Sequence, residues 1–287
     1  MTLATIPGVL TYWAPRGETV PCVFDSPHSG SHYPDDFRTI QPPSVYRRGE
    51  DAHIDALYAA APEKGAVLMA AVASRVYLDP NRTDQDIDPD MLDGPWPTQL
   101  TPTVKTRNGQ GLITRLAPPD LPLYDRKLSV AEVKHRIDTY YTPYHATLKP
   151  ALDATHAAFG WVYHVNCHSM PAMSSPMSPE GPGVARADFV LGDLDGTTSE
   201  PGFTETVRAV LTDLGYDVAV NNPYKGVELV RAYSDPPAGR NSLQIEINRK
   251  LYMDETTFER NARFDALKGH LEQMMDAIIA YARDRAA

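Results

Sequence analysis

The hydrophobic positions of this chain fall into short runs of differing period, and each run predicts an element. Residues 20–26 (VPCVFDS) form an apolar run closed by Pro27 and Gly30, the pattern of a buried strand that feeds a loop. In 50–61 (EDAHIDALYAAA), Ile54, Leu57, Tyr58 and Ala61 recur at helical spacing, and Glu50 and Asp51 stand at the start, where the helix dipole favours acids. Residues 65–78 (GAVLMAAVASRVYL) are apolar enough for one or two buried strands. Strand, helix and strand in this order suggest a parallel sheet with crossover helices.

Periodicity then fails from 79 to 122, a stretch with many prolines and with Asp84, Asp86, Asp88 and Asp90. So long an irregular segment is expected to be a lid or binding excursion. Helical spacing returns over 129–158, with Ser129 set as an N-cap ahead of Glu132. Residues 161–167 (WVYHVNC) read as a buried strand from which His168 turns out, and 174–182 as a Ser/Pro/Met-rich loop. Strands are expected at 188–194 and 216–220 and a helix at 205–214. In 242–247 (SLQIEI) polar and apolar residues alternate, putting Gln244 and Glu246 on one strand face, and 256–283 has the pattern of a long amphipathic helix. With no internal repeat or sharp boundary, 1–287 reads as one α/β domain.

The charge balance narrows the partners. The chain has 27 Lys+Arg against 37 Asp+Glu, a formal net charge of −10, which repels nucleic acid and anionic membranes at long range. A local cluster of Arg could still draw a small anion into a cleft. Two cysteines, Cys22 and Cys167, make no disulfide framework. The first residues lack a basic stretch followed by an apolar run, and no stretch approaches the ~18 apolar residues of a membrane span, so the cytoplasm is the expected compartment.

Three ionisable residues, His28, His168 and Glu246, stand at or near the ends of apparent strands, where open α/β sheets bind ligands. His164 and His168 are four apart, but on a strand that separation is ~13 Å, too far for a shared ion. His168 is therefore the better ligand and His164 a core histidine. Imidazoles and a carboxylate suit zinc, with a fourth position left for water; Glu50 and Asp51 are the nearest acids, though helix-start carboxylates need no metal. Glu246 lies mid-strand between Ile245 and Ile247 and is either catalytic or the buried ion-pair partner of Arg249 or Arg240. Arg75, Arg82, Lys225, Arg231, Arg240 and Arg249 gather around polar turns, as sites for one or two substrate carboxylates or as partners of the surplus acids.

Several stretches, in order over nearly the whole chain, resemble the N-formylglutamate amidohydrolase (deformylase) family: SPHSGSHYP (26–34), EDAHIDALY (50–58), SRVYLDPNR (74–82), GQGLITR (109–115), YYTPYHATL (140–148), HVNCHSMP (164–171), NNPYKG (221–226) and QIEINRKLY (244–252). The family in turn is similar to zinc carboxypeptidases and aspartoacylases. The resemblance implies a three-layer α/β/α fold with a mixed, largely parallel central sheet. It implies one zinc ion on His28, Asp51 and His168. Those wider relatives carry the acidic ligand three residues after the first histidine, where this chain has Ser31, so Asp51 is expected with Glu50 as its rival. Glu246 matches the general acid/base, assisted at the oxyanion by Arg75. Asn81 and Arg82 match the substrate-carboxylate pair, joined by one or more of Lys225, Arg240 and Arg249. The implied reaction is hydrolysis of N-formyl-L-glutamate to formate and L-glutamate, the end of histidine degradation. The alternatives are an aspartoacylase-like deacylase of another N-acyl amino acid, a metal carboxypeptidase, and a non-catalytic module stabilised by zinc.

Overall fold

A computed structural model of the chain describes residues 3–118, 120–178 and 180–286. Its centre is a seven-stranded sheet of β1 (Leu10–Trp13), β2 (Cys22–Ser26), β3 (Val67–Ala71), β6 (Val162–Met170), β7 (Phe189–Gly192), β8 (Val218–Val220) and β9 (Arg240–Asn248), while β4 (Leu116–Ala117) and β5 (Leu121–Pro122) form a separate two-stranded ribbon. The spatial order is β1-β3-β2-β6-β9-β7-β8. Strands β3, β2, β6 and β9 run parallel, β1 and β7 pair antiparallel at either flank, and β8 follows β7 in parallel. The sheet is mixed, with a parallel centre, as expected.

The helices are α1 (Pro43–Tyr46), α2 (Ile54–Leu57), α3 (Val104–Arg107), α4 (Val130–Arg136), α5 (Thr142–Phe159), α6 (Pro201–Asp213), α7 (Glu228–Tyr233) and α8 (Phe264–Ala286). Alternation along the strands divides the core into two layers. On one face Val23, Val67, Met69 and Val162 pack with Tyr144, Leu148 and Leu152 of α5 and Leu229 of α7. On the other, Phe24, Leu68, Tyr163, Val165, Leu243 and Ile245 meet Ile54 and Leu57 of α2, Phe203 and Val207 of α6, and the apolar stripe of α8. The result is a three-layer α/β/α arrangement.

Three elements differ from the pattern reading, and the run at 65–78, expected to hold one or two strands, holds one. The expected helix over 50–61 contracts to α2, and Glu50 lies in extended backbone (φ −84°, ψ 152°) ahead of it. After the strand in 65–78, the amides of Tyr77 and Leu78 bond to the Ser74 carbonyl in a tight turn. His168 does not turn out of its strand, because β6 continues to Met170 along β9. The C-terminal helix begins at Phe264 rather than near 256: Asp254 accepts the amides of Thr256 and Thr257 in a local turn, and Phe258 takes a left-handed conformation.

The irregular segment 79–122 has its own hydrophobic support. Ile87, Met91, Leu92, Leu112, Ile113 and Ala117 pack on Phe37, Tyr46, Tyr77 and Val133. Buried Arg136 braces this cluster, stacking on Tyr77 at 4.0 Å and donating to the Tyr77 carbonyl and the Tyr124 hydroxyl. Among the described residues, no helix is long and apolar enough to cross a membrane.

Candidate active site

The order β3-β2-β6-β9 sets the position of the site. The chain passes from β2 to β3 on one side, then crosses to β6 on the other, so the crevice at the carboxyl ends of β2 and β6 is a topological switch point. His28 follows β2 by two residues and His168 lies near the end of β6. The amide of Asp51 bonds to the His28 carbonyl at 3.0 Å, bringing the start of the α2 segment against the same crevice. The rings of His28 and His168 are 4.6 Å apart. His28, Asp51 and His168 are all buried, and each offers a potential ligand atom within 4.8 Å of the others.

The outward bonds of these three side chains determine which atoms face each other. His28 Nε2 lies 2.7 Å from Asp79 Oδ1, an acceptor-only carboxylate, so Nε2 carries the proton and Nδ1 is bare. His168 is fixed by a longer route. Asn166 Nδ2 donates to Asp25 Oδ1 at 2.8 Å, which orients the amide; Asn166 Oδ1 then lies 2.6 Å from His168 Nε2, with Asn81 Nδ2 at 3.3 Å, and His168 Nδ1 is turned toward Asp51. Burial lowers the His168 pKa to about 4, so the ring is neutral near pH 7. Asp51 Oδ1 accepts from Arg249 Nη2 at 3.0 Å and from Ser169 Oγ at 3.2 Å. Its Oδ2 lies 3.3 Å from His28 Nδ1 and 3.1 Å from His168 Nδ1.

Two imidazole Nδ1 atoms thus converge on one carboxylate oxygen, and His28 Nδ1 is buried without a hydrogen-bond partner among the described residues. Burial works against the Asp51 charge, but the neighbouring His168, His28 and Arg249 outweigh it and hold the carboxyl well below the usual range. Two neutral nitrogens, one anionic oxygen and hydrogen-bonded outer atoms match the donor set of a catalytic zinc site. These residues fit such an ion.

Glu246 stands beside this cluster, paired directly with His168 across β6 and β9. It forms no ion pair with Arg249 or Arg240; its Oε1 accepts from Gln244 Nε2 at 2.8 Å. Burial first, and then the Asp51 charge, push its carboxyl upward. His164 is the core histidine expected from strand spacing, its Nε2 2.7 Å from Asp25 Oδ1 and its Nδ1 3.0 Å from Ser242 Oγ. Asp25, His164 and Ser242 have the chemical order of a nucleophilic triad, yet all are fully buried with no room for a substrate. They are structural. Glu50 faces away from the site, accepting from Tyr33 and from Ser74 Oγ, so Asp51 is the acid at the cluster.

A cavity of about 490 Å³ opens over these groups, lined by seven Lys/Arg against four Asp/Glu. Arg75 and Arg82 enter it, both drawn toward Asp79: Arg75 Nη2 is 2.5 Å from Oδ2, and Arg82 Nη2 is 3.8 Å away. Asn81 also lines it, with its Oδ1 held by the Leu229 amide. Of the other basic residues expected to read the substrate, one lies outside the cavity and two line it while holding acidic partners. Arg240 sits at the opposite end of β9, about 20 Å of strand from Glu246, and pairs with Asp153 at 2.9 Å. Arg249 is buried and directs its guanidinium at Asp51, Ser169 Oγ and the carbonyls of Arg48 and Glu50. Lys225 is half-exposed on the rim and pairs with Asp195 at 2.8 Å. Asp79, Asn166, Lys105, Arg186 and Tyr224 are not among the expected site residues; the signal for three of them is their place in SRVYLDPNR, HVNCHSMP and NNPYKG.

A family model described as N-formylglutamate amidohydrolase matches residues 20–253. The chain is 49% identical to a crystal structure of N-formylglutamate amidohydrolase from Ralstonia eutropha JMP134, with a TM-score of 0.91, covering 96% of this chain and 99% of that one. It is 27% identical over 281 residues to N-formylglutamate deformylase of Pseudomonas putida, covering 93% of this chain and 95% of that protein. Against N-formylglutamate deformylase of Pseudomonas aeruginosa PAO1 the identity is 28% over 246 residues, covering 83% and 84%.

Proposed function

Since the chain belongs to the N-formylglutamate amidohydrolase family, we propose that it hydrolyses N-formyl-L-glutamate to formate and L-glutamate with one zinc ion held by His28, Asp51 and His168. The carrying observation is the convergence of His28 Nδ1 and His168 Nδ1 on Asp51 Oδ2 beside a carboxylate, Glu246, that forms no ion pair among the described residues. When bound, zinc supplies Lewis acidity, easing deprotonation of water and polarising a carbonyl.

The side chains do the rest. Glu246 accepts the proton of the attacking water and passes it to the departing amide nitrogen, so the C–N bond breaks with a neutral amine leaving. Glu246, pushed upward by burial and the Asp51 charge, would take its base form more readily with that charge offset by the ion Asp51 would hold. Arg75, which lines the cavity and pairs with Asp79 through Nη2, stabilises negative charge on the carbonyl oxygen in this reading. Arg82 takes a substrate carboxylate, its position fixed by Nε donating to the Gln110 carbonyl at 3.0 Å and Nη1 to the Asn81 carbonyl at 2.8 Å. The surplus of cations lining the cavity of an acidic protein suits a small anionic substrate and neither nucleic acid nor membrane.

The test is formate release from N-formylglutamate by protein stripped of metal and then reloaded. Activity should return with zinc, at about one ion per chain, and His28→Ala and His168→Ala should each bind zinc far more weakly. Full zinc content in both variants would move the metal elsewhere, and undiminished formate release without any metal would end the zinc reading.

A further inference from the structure

A dicarboxylic substrate needs two cationic contacts, and Arg82 supplies one. Of the other basic residues at the cavity, Lys225 pairs with Asp195, Arg249 is directed at Asp51 and its neighbours, and Arg186 is held by Glu180, Ser178 Oγ and the Pro171 carbonyl. Lys105 differs. It lines the cavity from α3, its side chain is partly buried, and its ammonium has no hydrogen bond or ion pair among the described residues. The Tyr224 ring lies 5.8 Å from Lys105 Nζ and 5.0 Å from the Arg186 guanidinium, so all three border one pocket within the cavity.

An ammonium withdrawn from water without a counter-charge is costly. Burial, and then the charges of Arg82 and Arg75, lower the Lys105 pKa to about 8, so it is still charged at neutral pH and lacks a partner. A bound carboxylate would supply one.

The support beneath Lys105 is also built. Thr103 caps α3, and buried Asp86 accepts the Thr103 amide at 2.7 Å, the Thr103 hydroxyl at 3.1 Å and the Thr106 hydroxyl. Gln110 then ties the two cations together: its amide donates to the Lys105 carbonyl at 2.8 Å, and its carbonyl accepts from Arg82 Nε at 3.0 Å. The separation of the two cationic residues is therefore set by the backbone of one residue.

We propose that Lys105 binds the side-chain carboxylate of the substrate and thereby selects acidic over neutral N-formyl amino acids, with the Gln110 backbone fixing its spacing from Arg82. The assignment rests on the deformylase reading, and deepens it.

The experiment compares wild type with Lys105→Met and Lys105→Gln, each checked for zinc content and melting temperature. Formate release is measured on N-formylglutamate and N-formylglutamine, and glutarate binding by calorimetry, which needs no turnover. The ratio of kcat/KM for the acidic over the neutral substrate should fall about 10- to 100-fold in both variants, chiefly through KM, with a matching loss of glutarate affinity. An unchanged ratio together with unchanged glutarate affinity, in variants with wild-type zinc and melting, overturns the role of Lys105. A wild type that releases no formate from either compound, yet binds glutarate in a Lys105-dependent way, overturns the deformylase reading and leaves the anion site standing.

Discussion

His28 and His168 present the same nitrogen to the same oxygen for different reasons. One is oriented directly by the Asp79 carboxylate, the other through an amide that Asp25 holds in place. Among the described residues Glu246 is tethered only by the Gln244 side chain, which suits the proton exchange proposed for it. Glu246→Gln should keep zinc content and melting temperature while kcat falls by roughly a hundredfold or more, as for loss of a general acid–base group. A buried ion pair broken by the same change would instead cost ~3–5 kcal/mol of stability; an active but destabilised protein would therefore remove Glu246 from catalysis. At this scale His28, His168 and Glu246 were legible, because strand ends and an acid between two isoleucines stand out in a sequence. Their partners were not: Asp79 lies 51 residues from His28, and Asp25 is 141 residues from Asn166, so nothing local marks them. Arg240 misled because a basic residue on the right strand can still lie at the wrong end of it.

Among the elements, the strands followed hydrophobic runs closely, and α6 and α8 followed amphipathic spacing. The short helices did not: α2 and α3 are four residues each, α3 capped by Thr103 and α2 held by burial of Ile54 and Leu57 without a side-chain cap. Segment 79–122 was legible as an excursion but not as a source of site residues. Its conformation depends on close backbone approaches: a Cβ on Gly111 would come within 2.6 Å of the Asp86 carbonyl oxygen. Asp86 is therefore both a neighbour of that turn and the acceptor that anchors α3. Asp86→Ala should strand the Thr103 amide and two hydroxyls at a cost of about 1–3 kcal/mol. That would lower the melting temperature by roughly 2–4 °C per kcal/mol and raise KM for N-formylglutamate without loss of zinc. Unchanged melting and KM would mean that the threonine caps hold α3 alone.

For the molecule as a whole, the ligand cluster joins the ends of β2 and β6 to the segment before α2, so a bound metal should stabilise the entire fold. Removing zinc with a chelator should lower the temperature of a single cooperative unfolding transition, and restoring it at a hundredfold excess over its Kd should return about 2.7 kcal/mol. Two separated transitions would instead divide the excursion from the sheet. The excursion is fastened at its root, where Asp79 and Arg82 reach the histidine and the cavity, while Lys105 and α3 lie farther out on a self-supported turn. That division gives the protein a fixed tool and an exchangeable grip. With Lys105 as the anion contact proposed above, substitutions around 103–111 would change which acid is accepted while leaving His28, Asp51, His168 and Glu246 untouched.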